Sequence, residues 1–175
     1  MRILAVLLMA AGFAHAQQIK LNLDHLAAKA ADSVDISLNG SMLQFAAKFL
    51  DGKDADEARV KKLIAGIEGI YVRSFEFKKD GEWSEADLEG VRSQLKAPEW
   101  SRMLGFKSSS EGSTAEVYFR SGQDKKVTGV AIVATNPREF TVVNLAGTID
   151  VDSLADLSGH FGVPKIDGQK QRKME

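Results

Sequence analysis

Hydrophobic and polar positions alternate along this chain with two periods, and the switches between them mark out its elements. The longest apolar stretch, residues 127 to 150 (VTGVAIVATNPREFTVVNLAGTID), carries Val127, Val130, Ile132, Val133, Phe140, Val142, Val143, Leu145 and Ile149. Its β-branched density suits a buried sheet, and Asn136-Pro137 breaks it once, so it predicts two long strands joined by a turn. Apolar residues occupy both faces through Val130 to Val133 and Val142 to Leu145, which places the pair in the middle of a sheet and not at an edge.

Upstream, Leu23, Leu26, Ala27 and Ala30 recur at helical spacing and predict a short helix. VDISLNG then sets Val34, Ile36 and Leu38 against Asp35 and Ser37, the period-2 signature of a strand with one buried side, and Asn39-Gly40 turns the chain. The next helix is expected to be capped by Ser41, to bury Met42, Phe45, Ala46 and Phe49 as one stripe, and to end at Asp51-Gly52. Another follows, with Asp54 and Glu57 at capping-box spacing, Val60, Leu63, Ile64 and Ile67 inward, and Gly69 as its stop. IYVRSFEF, 70 to 77, is a strand with Tyr71, Phe75 and Phe77 on one side. SEADLEGVRSQL opens a further helix with Ser84 as cap, Asp87 three residues on, and Leu88, Val91 and Leu95 inward, and Pro98 forbids its continuation.

After the connector PEWSR, the segments MLGFKSS and TAEVYFR precede the pair at 127 to 150, giving four strands in succession with short turns, an antiparallel meander. VDSLADLSGHFG is then an acid-started helix with Leu154, Leu157 and Phe161 available for packing, stopped by Gly162 and followed by Pro164. KIDGQKQRKME, 165 to 175, is charged and poor in apolar residues, a tail expected to be disordered. The whole predicts a single α+β domain over 19 to 164: a mainly antiparallel sheet of about five to six strands, ending in the four-stranded meander, with helices packed on one face.

Composition changes this picture mainly at the N-terminus. Arg2, the apolar run ILAVLLMAAGFA and the small residues Ala14 and Ala16 form a secretory signal peptide over 1 to 16, cleaved before Gln17. The run is shorter than the roughly 18 residues that span a bilayer, so no stable membrane anchor is expected after cleavage. The chain has no cysteine, hence no lipid attachment point and no disulfide, and its stability must come from packing. The expected location is the periplasm or the cell exterior. Lys+Arg 23 against Asp+Glu 24 removes any electrostatic case for nucleic acid.

Candidate chemistry is sparse. Asp80-Gly81, Trp83, Ser84 and Asp87 imitate the second half of a calcium loop, but Lys78 would occupy a ligand position, and a turn leading to a capped helix explains the same residues. Asp150, Asp152 and Asp156 are weak metal candidates, since carboxylates at a helix N-terminus are stabilised without an ion. His25 and His160 are far apart in sequence and make no zinc set. Neither a Gly-x-Ser-x-Gly elbow nor a phosphate loop is present, and no cofactor is expected. Two binding surfaces are candidates: the connector with Trp100 and Arg102, and the sheet face left bare if helices cover only the other, to which Ala131, Val133 and Val142 are assigned.

Four segments, IYVRSFEF, SEADLEGVRSQL, APEWSR and VVNLAGTIDVDSLADLSGHFGVP, together resemble a bacterial family catalogued as domain of unknown function 4252. The resemblance covers nearly all of the chain after the signal and implies an exported or lipid-anchored envelope protein. It supplies no activity, cofactor or catalytic residue, and this chain departs from the lipoprotein members in lacking the cysteine. The leading expectation is a non-enzymatic envelope binding or accessory domain whose partner is another envelope protein, a small ligand or a second copy of itself. The alternatives are an envelope-stress or regulatory interaction partner, and a cryptic hydrolase or metal-dependent enzyme using Asp150, Asp152, Asp156 and His160.

Overall fold

The computed structural model describes residues 19–50, 52, 54–122 and 126–149. They build a six-stranded antiparallel sheet from β1 (Asp32–Asn39), β2 (Ile67–Glu76), β3 (Trp100–Ser108), β4 (Ser113–Ser121), β5 (Val127–Asn136) and β6 (Glu139–Ile149). The spatial order is β1-β2-β6-β5-β4-β3, so β3 to β6 form the expected meander and β1-β2 continue the sheet beyond β6. The apolar pair at 127 to 149 occupies the two central positions. Short helices complete the α+β fold: α1 (Asp24–Ala27), α2 (Gly40–Ala47), α3 (Ala55–Gly66) and α4 (Glu85–Arg92).

One face of the sheet presents Phe75, Tyr118, Ala131, Val133, Phe140 and Val142, and these share a core with Ile19, Leu23, Leu26, Leu88, Val91 and Leu95 from the N-terminal segment, α1 and α4. The predicted inward stripe of α4 is the one buried, and its capping box forms as expected: Ser84 Oγ accepts from the Asp87 N–H while the Asp87 carboxylate accepts from the Ser84 N–H. Trp83 meets the Phe140 ring edge-on at 5.5 Å and donates its indole N–H to the Asn136 carbonyl at 2.8 Å, which closes the core beside the β5-β6 turn.

The N-terminal segment is tied down by side chains that act as strand partners. Asn144, buried at the centre of β6, accepts from the Ile19 N–H, and Gln94 both accepts from the Lys20 N–H and donates to the Lys20 carbonyl at 2.9 Å. Arg73 on β2 bridges Asp24 of α1 and Asp35 of β1.

Several local expectations are corrected by the fold. Asn39, not Ser41, caps α2: it ends β1 in an extended conformation and its Oδ1 accepts from the Met42 N–H at 3.0 Å, so strand passes into helix without a turn. Leu43 and Ala47 form the buried edge of α2, while Met42, Phe45 and Phe49 are exposed, because the helix meets β1 and β2 along the neighbouring stripe. α3 runs directly into β2 at Ile67, which puts Gly69 inside the strand instead of at the helix stop. β3 begins at Trp100, so Trp100 and Arg102 belong to a strand and not to a connector. Finally, Val34 and Ile36 of β1 are exposed, because β1 is an edge strand outside the core that α1 and α4 share with the sheet.

Candidate functional site

The antiparallel register lines up side chains across the bare face. Ile36 pairs with Val72, Val72 with Val143, Val143 with Ile132, Ile132 with Val117 and Val117 with Leu104. One uninterrupted apolar row thus crosses every strand of the sheet, about 24 Å at the usual inter-strand spacing. On one side of it runs Leu38, Ile70, Leu145, Val130 and Phe119, and on the other Val34, Ser74, Thr141, Ala134, Ala115 and Phe106. No charged side chain interrupts these rows. The rows are most open toward the edges, where Ile36 is 39% exposed, Leu104 48% and Phe106 56%; Val72, Ile132 and Val143 are half-buried, and Val130 is buried.

A sheet bare on one face is the geometry anticipated from sequence, but the residues assigned to that face are not the ones that lie there. Ala131, Val133 and Val142 are essentially inaccessible, at 0%, 1% and 0% exposure, on the covered side. Their neighbours Ile132 and Val143, of opposite parity, carry the open side. Trp100 is buried in the core, its ring lying over Gly129, and Arg102 is exposed on the covered side at β3. Ala14, Ala16, Gln17, Asp150, Asp152, Asp156 and His160 lie outside the described residues.

On the covered side, α4 and the β3-β4 hairpin flank a cleft of about 540 Å³ whose floor is Glu116. This carboxylate is almost fully buried and receives Arg92 Nε at 2.9 Å, Arg92 Nη2 at 3.1 Å, Arg102 Nη1 at 3.2 Å and the Tyr118 hydroxyl at 3.0 Å. Arg92 also holds Glu85 at 2.8 Å. Burial alone would raise the Glu116 pKa, but the hydrogen bonds from Arg92 and Tyr118 and the charges of Arg92 and Arg102 outweigh it and hold the carboxyl below its ordinary range. Burial first, and then the Glu116 carboxylate, push the Tyr118 phenol up, so it stays protonated and donating. A carboxylate so neutralised has no proton to give near neutral pH and is a poor base. Its role is to clamp α4 onto β3 and β4.

The sign of the resulting pH dependence follows. A carboxyl with a lower pKa folded than unfolded contributes stability that is fully present above the unfolded value and is lost as pH falls through the folded one. Glu116→Gln is therefore expected to cost about 2 kcal/mol at neutral pH, because Arg102 loses its carboxylate partner and Arg92 keeps only Glu85. The difference from the native chain should shrink as pH drops below the ordinary carboxylate range. Urea midpoints measured across a pH series check this, and a pH-independent difference would refute it.

His25 Nε2 lies 2.6 Å from Asp87 Oδ1. Burial acts to raise the Asp87 pKa, but hydrogen bonds from Ser84 and His25 prevail and lower it, and the same carboxylate is already committed to the capping box. The half-loop that imitated a calcium site thus has its acid occupied by a helix cap. Among the described residues no group of three or more His, Cys, Asp or Glu side chains is arranged to hold a metal, and no helix is long and apolar enough to cross a membrane. Sequence reasoning missed Glu116 because it sits in TAEVYFR between apolar residues, where an acidic side chain reads as the wet side of a strand. The signal available was its alternation with Thr114 and Tyr118, a polar face with hydrogen-bonding capacity.

A family model described as a domain of unknown function (DUF4252) matches residues 28–157. No curated protein and no solved structure matches the chain.

Proposed function

The chain belongs to the DUF4252 family, and on that premise we propose that it is an exported envelope protein that works by binding through the bare face of its sheet and not by catalysis. The observation that carries this reading is the uninterrupted apolar row from Ile36 to Leu104, crossing six strands without a charge. Exposed apolar surface of that extent and continuity is characteristic of docking sites, because leaving it in water forgoes the free energy of burial. The catalytic alternative draws no support from the cleft, where the buried acid is paired with two guanidinium groups. Export is supported by the N-terminal sequence, and cleavage before Gln17 would leave two residues ahead of Ile19, the first residue of the buried core.

Capture from envelope extract with the mature protein as bait tests the binding half. A partner retained by the native protein and lost with Ile132→Asp, which places a charge at the middle of the row, is the expected result. Equal retention by both proteins would refute the assignment of the face. N-terminal sequencing of periplasmic protein tests the export half: it should begin at Gln17, and an intact Met1 in a cytoplasmic fraction would overturn it.

A further inference from the structure

We propose that the cleft between α4 and the β3-β4 hairpin binds a small monocarboxylate with an apolar body, its carboxylate held by Arg102 and Lys107 and its body laid against Trp83. The site is on the side of the sheet opposite the apolar row and stands independently of it.

Charge is the first ground. Glu116 is a single carboxylate facing two guanidinium groups. Arg92 already meets both of its oxygens through Nε and Nη2, and is balanced further by Glu85. Arg102 adds one bond, from Nη1, and has no carboxylate of its own. Its Nε and Nη2 carry no partner among the described residues, and these two atoms form the side-on edge of the guanidinium that receives a carboxylate with two parallel hydrogen bonds. Lys107, exposed on the same wall, is likewise without a partner among the described residues. Three cations against two carboxylates leave the lining with a single surplus positive charge, which suits a monoanion.

Shape is the second. The register puts Arg102, Gly105 and Lys107 on the covered side, opposite Tyr118, Glu116 and Thr114. A Cβ on Gly105 would lie 3.6 Å from Arg102 Cζ, so the guanidinium lies back along its own strand over the glycine, toward Lys107. Gly105 thus leaves the space in which the surplus charge collects. The cleft holds about 540 Å³, within the range of pockets that take small ligands.

The remaining walls complete the match. Trp83 is half-buried, its indole N–H is spent on the Asn136 carbonyl, and the ring is left to offer apolar surface to the cleft. Thr114 and Thr135 hydrogen-bond to each other through their hydroxyls at 2.8 Å, which uses one hydroxyl hydrogen and leaves the other as a further donor at the lining.

A free organic acid and the C-terminus of a peptide share this chemistry. Phenylacetate, its neutral amide phenylacetamide, and an N-acetylated tripeptide ending in phenylalanine are therefore each titrated into the mature protein, followed by the indole N–H resonances of the two tryptophans and the backbone amides of Gly105 and Lys107. A saturable shift of the Trp83 signal with phenylacetate is expected, with affinity about tenfold above that of the amide. Lys107→Gln removes a side chain that supports nothing else and should weaken binding severalfold. Gly105→Val should abolish it, since the added side chain takes the space under the guanidinium, while the built Cβ meets only ordinary van der Waals contacts and the fold is kept. Binding of the peptide and not of phenylacetate assigns the site to a chain terminus, and the reverse assigns it to a free acid. No saturable shift with either, equal affinity for acid and amide, or binding indifferent to both substitutions overturns the inference.

Discussion

Phe140→Ala is expected to lower the unfolding free energy by about 3–5 kcal/mol, the range for truncating a fully buried aromatic residue. Phe140 is 0% exposed, pairs across the strands with Phe75, and forms the surface that the Trp83 ring meets edge-on. Its removal would leave a void bounded by elements that hold one another in place: β6 is central, and the Trp83 indole is fixed by its hydrogen bond to the Asn136 carbonyl. Such a site collapses poorly, so the loss belongs at the upper part of the range. A domain of this size has a total stability of roughly 5–15 kcal/mol, so the variant should unfold at much lower urea concentration. Urea denaturation followed by tryptophan fluorescence measures it directly, since Trp83 reports on the same contact. A loss below about 1 kcal/mol would mean that the core is not packed as described.

The second large effect is expected at Gly147, where β6 crosses the junction of α3 and β2. Its φ is +125°, and a Cβ there would lie 2.3 Å from the Gly66 carbonyl oxygen and 2.6 Å from the Glu68 nitrogen. Both obstacles are backbone atoms, so no side-chain rotation relieves them. Gly147→Val adds conformational strain to a steric clash and is expected to cost about 3–5 kcal/mol. Gly81→Ala provides the contrast. That residue has φ +79° with nothing within 4 Å of a built Cβ, so only the conformational term of about 1 kcal/mol remains. Comparable losses at the two positions, measured by thermal unfolding, would show that close approach at the helix-to-strand junction contributes nothing.

What was legible in the sequence was local, and the clearest instances are those where one segment's own chemistry decides its conformation. Ser84, Asp87 and the stripe Leu88, Val91 and Leu95 specify α4 together with its cap and its buried side. The apolar density of 127 to 149 on both parities announces the two central strands, because a strand paired along both of its edges lies away from the polar rim of the sheet. Where two local readings competed, the sequence did not arbitrate. Asn39 and Ser41 are both competent caps, and the helix starts one residue after Asn39 because β1 must extend that far to pair Asn39 with Gly69. Met42, Phe45 and Phe49 make as good a stripe as Leu43 and Ala47, and contact with β1 and β2 selects the latter.

The candidate site shows the same division more sharply. In β1, Val34, Ile36 and Leu38 alternate with Ser33, Asp35 and Ser37, and in β4, Ala115, Val117 and Phe119 alternate with Thr114, Glu116 and Tyr118. A strand considered alone puts its apolar side inward. In β4 the helix α4 lies over the polar side, where Glu116 meets Arg92, while the edge strand β1 is exposed on its polar side too, where Asp35 meets Arg73 of β2. Sequence by itself determined the element types, their order, the central strands and the period-2 alternation that puts Ile36, Ile132 and Val143 on one surface and Val133 and Val142 on the other. Only the tertiary structure decided which surface the helices cover, because period 2 labels two faces without ranking them. The ranking comes from where α1, α4 and the N-terminal segment find partners: Asn144 for Ile19, Arg73 for Asp24, and Glu116 for Arg92, three contacts between residues far apart in the chain.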